Sequence, residues 1–407
     1  MPFCKSKALN LSKTVAFIII AALFLTFFSS CAALNSVQED TVVKNNSITV
    51  SDTVFLSREP EPKISASSAV LMDASSGAIL ASLSPDKRMP MASTTKIMTA
   101  LVALESCELS KTVEIPQGAV GVEGSSIYLY AGEKLTMEDL IYAMLLESAN
   151  DAAAAIAIEI GGSIENFADI MNSKAESLGL KNTHFTNPHG LDDAEHYTTA
   201  RELGIIACEA MKNEKFAEIF STYKKTIPLN ETEGIRLLIN HNKLLKNYDG
   251  AIGIKTGYTK KSGRCLVSAA ERDGLKLICV TLSAPDDWND HKALLDYGFK
   301  NYESRVICKA GEIEKLLPII NGDKEYVTVT NIEEVRMTLP KSAANLECKV
   351  EIRNFEFAPI VKGEKLGRLL FSFDGVILCE VPLVAKYEVS EIKQKKSLFE
   401  MITSIFN

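Results

Sequence analysis

Ser93-Thr94-Thr95-Lys96 carries a hydroxyl and an amine three residues apart. On a helix that spacing stacks the two side chains on one face, within hydrogen-bond reach. Lys96 is followed at once by Ile97 and Met98, so its stem enters packed surroundings. Burial disfavours an ammonium, and the free amine left behind is a base for the serine proton. Ser93 heads an apolar pattern, with Ile97, Leu101 and Leu104 at helical spacing, and its hydroxyl or that of Thr94 is placed to cap that helix. A serine there has unpaired backbone N–H groups and the positive end of the helix dipole beside it, both favouring an oxyanion or a carboxylate. The chemistry implied is acyl transfer to serine, with lysine as the base. The plainer reading is a capping serine with a solvated lysine one turn on. Ser84, Ser221 and Ser390 begin the same pattern, but Pro85 follows Ser84 and Ser390 leads into a basic tail.

Two further strings follow in the chain. Ser148-Ala149-Asn150 falls between two helical patterns, which turns small polar side chains toward a cleft. Ser148 is suited to relay a proton between Lys96 and a leaving amine, and Asn150 to offer its amide to a substrate carbonyl and hold Lys96. Its ordinary reading is a cap for a helix starting at Asp151, itself read as a first-turn acid. Lys255-Thr256-Gly257 ends a strand, and no other Lys-Thr pair in the chain is followed by glycine. Gly257 lets a substrate backbone lie against the strand, while Lys255 and Thr256 offer a cation and a hydroxyl to a terminal carboxylate. A bland strand-end lysine is the alternative. His189, in Asn187-Pro188-His189-Gly190-Leu191-Asp192, reads as structural, bonding within its own turn.

The elements that must position these groups form an α+β pattern. Two apolar runs around Ser75-Ser76-Gly77 make a β-hairpin. Helical pattern dominates residues 93–218, with a capping box at Thr136 and Asp139 and helix ends at Gly161-Gly162 and Gly179. Strands return at residues 250–255, 265–270 and 276–283, the last two joined by Asp273-Gly274, and a helix follows at 291–297. No β-α-β alternation is present. After Tyr302 the runs at 326–329, 346–352 and 368–378 mark a small all-β domain.

The 407 residues carry a formal charge of −8 without a basic patch, which argues against nucleic acid as a partner. Lys5, Lys7 and Lys13, an apolar run at 14–28 and small residues at 29–33 have the layout of an export signal, with an uncleaved anchor or a lipidated Cys31 as alternatives. The expected division is a signal peptide at 1–33, a polar linker at 34–62, a catalytic domain at 63–302, a β-rich domain at 303–389 and an amphipathic tail at 390–407. In that tail Leu398, Ile402, Ile405 and Phe406 share a helical face after Lys393, Lys395 and Lys396, which suits a membrane surface or packing on the protein itself. Cys107, Cys208, Cys265, Cys279, Cys308, Cys348 and Cys379 form no metal or redox spacing and read as buried free thiols, suiting a reducing habitat.

The three strings together are those of penicillin-binding proteins and class A β-lactamases, with Ser-Ala-Asn where the lactamases carry Ser-Asp-Asn. The chain resembles the low-molecular-weight penicillin-binding proteins, the serine D-alanyl-D-alanine carboxypeptidases of peptidase family S11, over nearly all of its exported length. The resemblance implies a penicillin-binding-protein/β-lactamase-like antiparallel sheet with helices, followed by a small all-β domain. It implies Ser93 as nucleophile, Lys96 as general base, and Ser148 with Asn150 in the proton relay. Lys255, Thr256 and Gly257 would meet the substrate carboxylate and backbone, and the N–H groups of Ser93 and Tyr258 would form the oxyanion hole. The substrate implied is the peptidoglycan stem peptide, with β-lactams as acylating inhibitors and no metal or organic cofactor. His241, in Asn240-His241-Asn242, stands where some members carry arginine, so carboxylate recognition differs there. A β-lactamase is the first alternative, although no Glu-x-x-Asn string lies between Asn150 and Lys255. An endopeptidase or transpeptidase with the same chemistry, and an inactive wall-binding protein, are the others.

Overall fold

A computed structural model describes residues 49–50, 59–229, 234–343, 346–373 and 375–392. The expected signal, most of the linker and the tail beyond Ile392 lie outside the described residues. Its centre is a five-stranded antiparallel sheet of β1 (Ser68–Asp73), β2 (Ile79–Leu83), β3 (Ala251–Thr259), β4 (Gly263–Arg272) and β5 (Leu275–Leu282), in the order β2-β1-β5-β4-β3. Every residue of β1 is buried, as a strand covered on both faces requires. The β4–β5 turn has Asp273 at φ +51 and Gly274 at φ +76, the conformation that makes Asp-Gly a hairpin signal.

Alternate side chains of the sheet enter two cores. Val70, Met72, Ile278 and Val280 pack with the helices that fill one face: α1 (Lys96–Ser106), α2 (Met137–Leu146), α3 (Asn150–Gly161), α4 (Ile164–Ser177) and α5 (Ala200–Ala210). In α3 four successive alanines, Ala152 to Ala155, are buried, so neighbouring helices approach its backbone closely. The α2 start carries the expected cap: Thr136 Oγ1 accepts the Asp139 N–H at 3.1 Å and donates to its carboxylate at 2.7 Å. Glycines at positive φ, Gly162 and Gly179, follow α3 and α4. Within this helical stretch the chain also forms a short strand pair, Thr112–Glu114 with Lys134–Thr136, that periodicity did not signal.

Leu71, Leu80, Leu277 and Cys279 face the second core, with Leu294 and Leu295 of α6 (Asp287–Asn301) and with Leu317, Val327 and Val335 of the C-terminal strands. The C-terminal part is all-β. Its main sheet runs Leu346–Ile352, Lys365–Phe373, Val376–Ala385, Tyr326–Thr330, Glu314–Ile320 and Glu356–Phe357. The run expected at 368–378 is two strands around a turn at Gly375 (φ +78). Thr49–Val50, inside the expected linker, pairs with Glu380 and Cys379 of this sheet. All seven described cysteines are free, but Cys348 is exposed and Cys107 only partly covered. Cys348 lies between Glu347 and Lys349 on a strand with no fully buried side chain, so it is not the buried thiol expected.

Candidate active site

Ser93 sits in a 3₁₀ turn, Ala92–Thr95, that leads into α1. The expectation that Ser93 or Thr94 caps the helix is not met, because the neighbouring hydroxyls bond backward to carbonyls. Thr94 Oγ1 donates to Met91 O at 2.6 Å and Thr95 Oγ1 to Ala92 O at 2.8 Å. The Ser93 hydroxyl makes no such bond back into its own turn: it lies 3.0 Å from Lys96 Nζ and donates to the His189 carbonyl at 3.5 Å.

Lys96 is fully buried. Its amine is 2.6 Å from Asn150 Oδ1 and 2.6 Å from the carbonyl of His189. Both are acceptors only. A neutral amine has two N–H groups and one lone pair, so these two bonds use both protons and turn the lone pair to the Ser93 hydroxyl. Burial, and then the charge of Lys255, hold the Lys96 pKa well below the usual lysine range, with Asp151 opposing. Asn150 is fixed in turn. Its Nδ2 donates to Glu123 O at 2.5 Å and its N–H to Ser125 O at 2.7 Å, which leaves Oδ1 for the lysine.

Ser148 lies between α2 and α3 at φ +60, outside the range a serine adopts without strain. Its hydroxyl accepts from Lys255 Nζ at 3.0 Å. The direct partner of Ser148 is therefore Lys255, and Asn150 is the partner of Lys96. Neither Ser148 nor Asn150 caps α3, whose N-cap is Ala149 with no side-chain bond. Lys255 is buried as well, which pushes its pKa down to about 7, and it also donates to Thr256 O at 2.9 Å. A register shift between Ala251 and Gly253, with Gly253 and Ile254 at φ +100 and +103, precedes it on β3. Such a bulge re-aims the side chains that follow.

β3 is the sheet's edge strand, so one side of its backbone pairs with no neighbouring strand. A Cβ built on Gly257 would stand 3.0 Å from Ser93 N and 3.1 Å from Thr94 N. The strand and the serine turn therefore touch, and the three strings meet in one place. Thr256 is half-buried beside them, and the Tyr258 side chain is 67% exposed.

His189 bonds within its turn as expected, its Nδ1 accepting the Leu191 N–H at 3.3 Å. Burial holds its pKa down to about 3. His241 lies 3.2 Å from a Glu147 oxygen. Asp151 does more than a first-turn acid: it is buried and accepts from Ser126 Oγ at 2.6 Å and Leu129 N at 3.0 Å. It thereby ties down the loop whose carbonyls hold Asn150. Those partners are more than twenty residues away, and only its burial inside an alanine-rich helix hinted at them.

A family model described as D-alanyl-D-alanine carboxypeptidase, peptidase S11, matches residues 55–286, and one for the penicillin-binding protein 5 C-terminal domain matches residues 302–391. The chain is 34% identical over 336 residues to the D-alanyl-D-alanine carboxypeptidase DacF of Bacillus subtilis, covering 80% of this chain and 86% of that protein. It is 32% identical over 347 residues to DacA of Escherichia coli, covering 81% and 85%. Penicillin-binding protein 5 from Haemophilus influenzae has a similar structure, with TM-score 0.72 and 31% identity over 82% of this chain and 100% of that one.

Proposed function

The chain belongs to the D-alanyl-D-alanine carboxypeptidase family S11, and from that premise we propose that it cleaves the terminal D-alanine from peptidoglycan stem peptides through an acyl-Ser93 intermediate. The observation that carries the assignment is the Lys96 amine, saturated by two carbonyl acceptors and facing the Ser93 hydroxyl. Lys96 takes the hydroxyl proton as Ser93 attacks the carbonyl of the penultimate residue. The N–H groups of Ser93 and Tyr258 receive the oxyanion. Lys255, with Thr256, binds the terminal carboxylate. Ser148, bonded to Lys255, relays the proton taken up by Lys96 to the departing amine, which leaves Lys96 neutral again. Water then cleaves the acyl-serine ester, with Lys96 again as base. Gly257 leaves room for the substrate backbone along β3.

Residues 63–302 form the catalytic domain in this reading and 303–389 a β-rich domain. An export signal at 1–33 delivers the protein outside the cytoplasm, where its substrate lies, and the basic amphipathic tail meets the membrane surface. Among the described residues no helix is long and apolar enough to cross a membrane.

Incubation with a fluorescent penicillin should label the purified chain, and Ser93→Ala should abolish the label. Release of free D-alanine from an acyl-D-Ala-D-Ala peptide should depend on the same residue. Rapid turnover of the bound penicillin would instead indicate a β-lactamase, and cleavage of crosslinked peptides without D-alanine release an endopeptidase.

A further inference from the structure

The peptide group before Ser93 is held from two sides. Ala92 has φ +48, a left-handed conformation that a non-glycine residue adopts only under strain. Its carbonyl accepts the Thr95 hydroxyl at 2.8 Å. Thr95 Oγ1 is in turn 2.7 Å from Nε2 of His196, a buried residue. On the far side of that ring, Nδ1 faces the backbone N–H of Thr186 at 3.1 Å. A backbone N–H can only donate, so Nδ1 accepts and the ring proton of a neutral imidazole sits on Nε2. Burial keeps the ring neutral, with its pKa held down to about 4. Protons therefore point one way: from His196 to Thr95, and from Thr95 to the Ala92 carbonyl. Gly190, at φ +86, lies against the same oxygen so closely that a Cβ there would overlap it.

The carbonyl of Ala92 and the N–H of Ser93 belong to one planar trans peptide and point in opposite directions. Holding the first aims the second, and Ser93 N stands against the Gly257 edge of β3. We infer that His196, acting through Thr95, is a positioning residue that aims the Ser93 N–H at the oxyanion formed during acylation. It touches neither substrate nor nucleophile. The inference rests on the acyl-serine reading above and adds to it a residue outside the three strings.

The test uses the full chain and a fluorescent penicillin over a range of concentrations, in rapid mixing, so that non-covalent binding and the acylation rate constant are read separately. Thr95→Val removes the hydroxyl and keeps the shape, His196→Ala removes the ring, and His196→Gln keeps one acceptor and one donor. Loss of an oxyanion donor costs about 10²–10³ in rate, and a mis-aimed one costs part of that. Thr95→Val and His196→Ala should slow acylation about ten- to a hundredfold with binding changed less than about threefold. His196→Gln should recover most of the rate. The double variant should be no slower than Thr95→Val alone, because both changes break one chain of bonds. Wild-type acylation in Thr95→Val, a change confined to binding, or losses that multiply in the double variant would each overturn the inference. If His196→Ala does not fold, Thr95→Val and His196→Gln still decide. A wild-type chain that penicillin does not acylate sinks the functional reading and this inference with it. An acylated wild type beside unaffected variants sinks this inference alone.

Discussion

Lys96 and Lys255 are two buried amines, and burial holds the pKa of each below the usual lysine range. Lys96 meets two obligate acceptors and a hydroxyl, and burial with the Lys255 charge, not this partner set, favours its neutral form. Lys255 meets one hydroxyl and one carbonyl and has its pKa pushed to about 7; in the proposed reaction its remaining donor meets the carboxylate. A charged Lys255 also helps keep Lys96 neutral. In the pH profile of kcat/KM on a D-Ala-D-Ala peptide, activity should climb as Lys96 loses its proton. It should fall again as pH rises through about 7 and free Lys255 loses its own. A substrate analogue lacking the terminal carboxylate should lose that alkaline fall and keep the acid limb; an identical fall in both would remove Lys255 from carboxylate binding. The same depression links to stability. An unfolded lysine titrates near 10.5 and folded Lys255 near 7, so between those values the unfolded chain binds more protons and the fold gains stability as pH rises. Compared with Lys255→Met, the wild type should therefore gain in denaturant midpoint from pH 7 to pH 10. A difference between the two that is flat with pH would show that Lys255 is not desolvated in the folded protein.

Besides these hydrogen bonds, the elements meet where the edge of β3 packs against the 3₁₀ turn. Gly257→Ala puts a methyl group within 3.0–3.1 Å of Ser93 N and Thr94 N, backbone atoms that cannot swing away. Strand or turn must give by a few tenths of an ångström, a fraction of the roughly 1 Å misplacement that costs up to about 10²-fold in a reacting constellation. Penicillin acylation of this variant should fall by up to about tenfold with the melting temperature little changed, since Gly257 does not need a positive φ. Rates equal to wild type would place the strand farther from the serine than the structure does. The parts of this arrangement that were legible in the sequence are those set by neighbours in the chain. Thr136 and Asp139 cap one helix three residues apart, Asp273-Gly274 makes its own turn, and each catalytic string announces its chemistry by residue type. The Asp-Gly signal at 374–375 was equally local and was passed over, so two strands were read as one. What stayed hidden depends on partners far along the chain. The backward bonding of Thr94 and Thr95 left Ser93 off the helix cap. Ser148 meets Lys255 across 107 residues, and His196 meets Thr95 across 101. No window of sequence contains such pairs.

Across the whole molecule, the sheet that carries the site is covered on one face by helices and on the other by α6 and the C-terminal strands, so the β-rich part completes the second core. Two buried hydrogen bonds mark that junction. Thr338 Oγ1 donates to Asp73 Oδ2 at 2.7 Å, while Oδ1 of the same carboxylate takes the hydroxyls of Ser75 and Ser76 at the β1–β2 turn. Tyr302 adds a bond from its hydroxyl to Leu80 O at 3.1 Å. The register places Lys255 beside Val267, Val280 and Val70, whereas Asp73 pairs with Leu277, three residues farther along. Three residues along the strands and three strands across amount to about 17 Å. Changes at Asp73 should therefore reach stability without reaching the chemistry. Thr338→Val keeps the shape and removes the donor from a buried carboxylate oxygen, a loss of about 1.5–3 kcal/mol. Urea unfolding should register that loss, while the penicillin acylation rate of the folded variant should match wild type. A variant of wild-type stability would mean that solvent reaches Asp73 and replaces the bond. A slowed acylation would mean that the β-rich part shapes the catalytic sheet over that distance, and the two cores would then have to be treated as one mechanical unit.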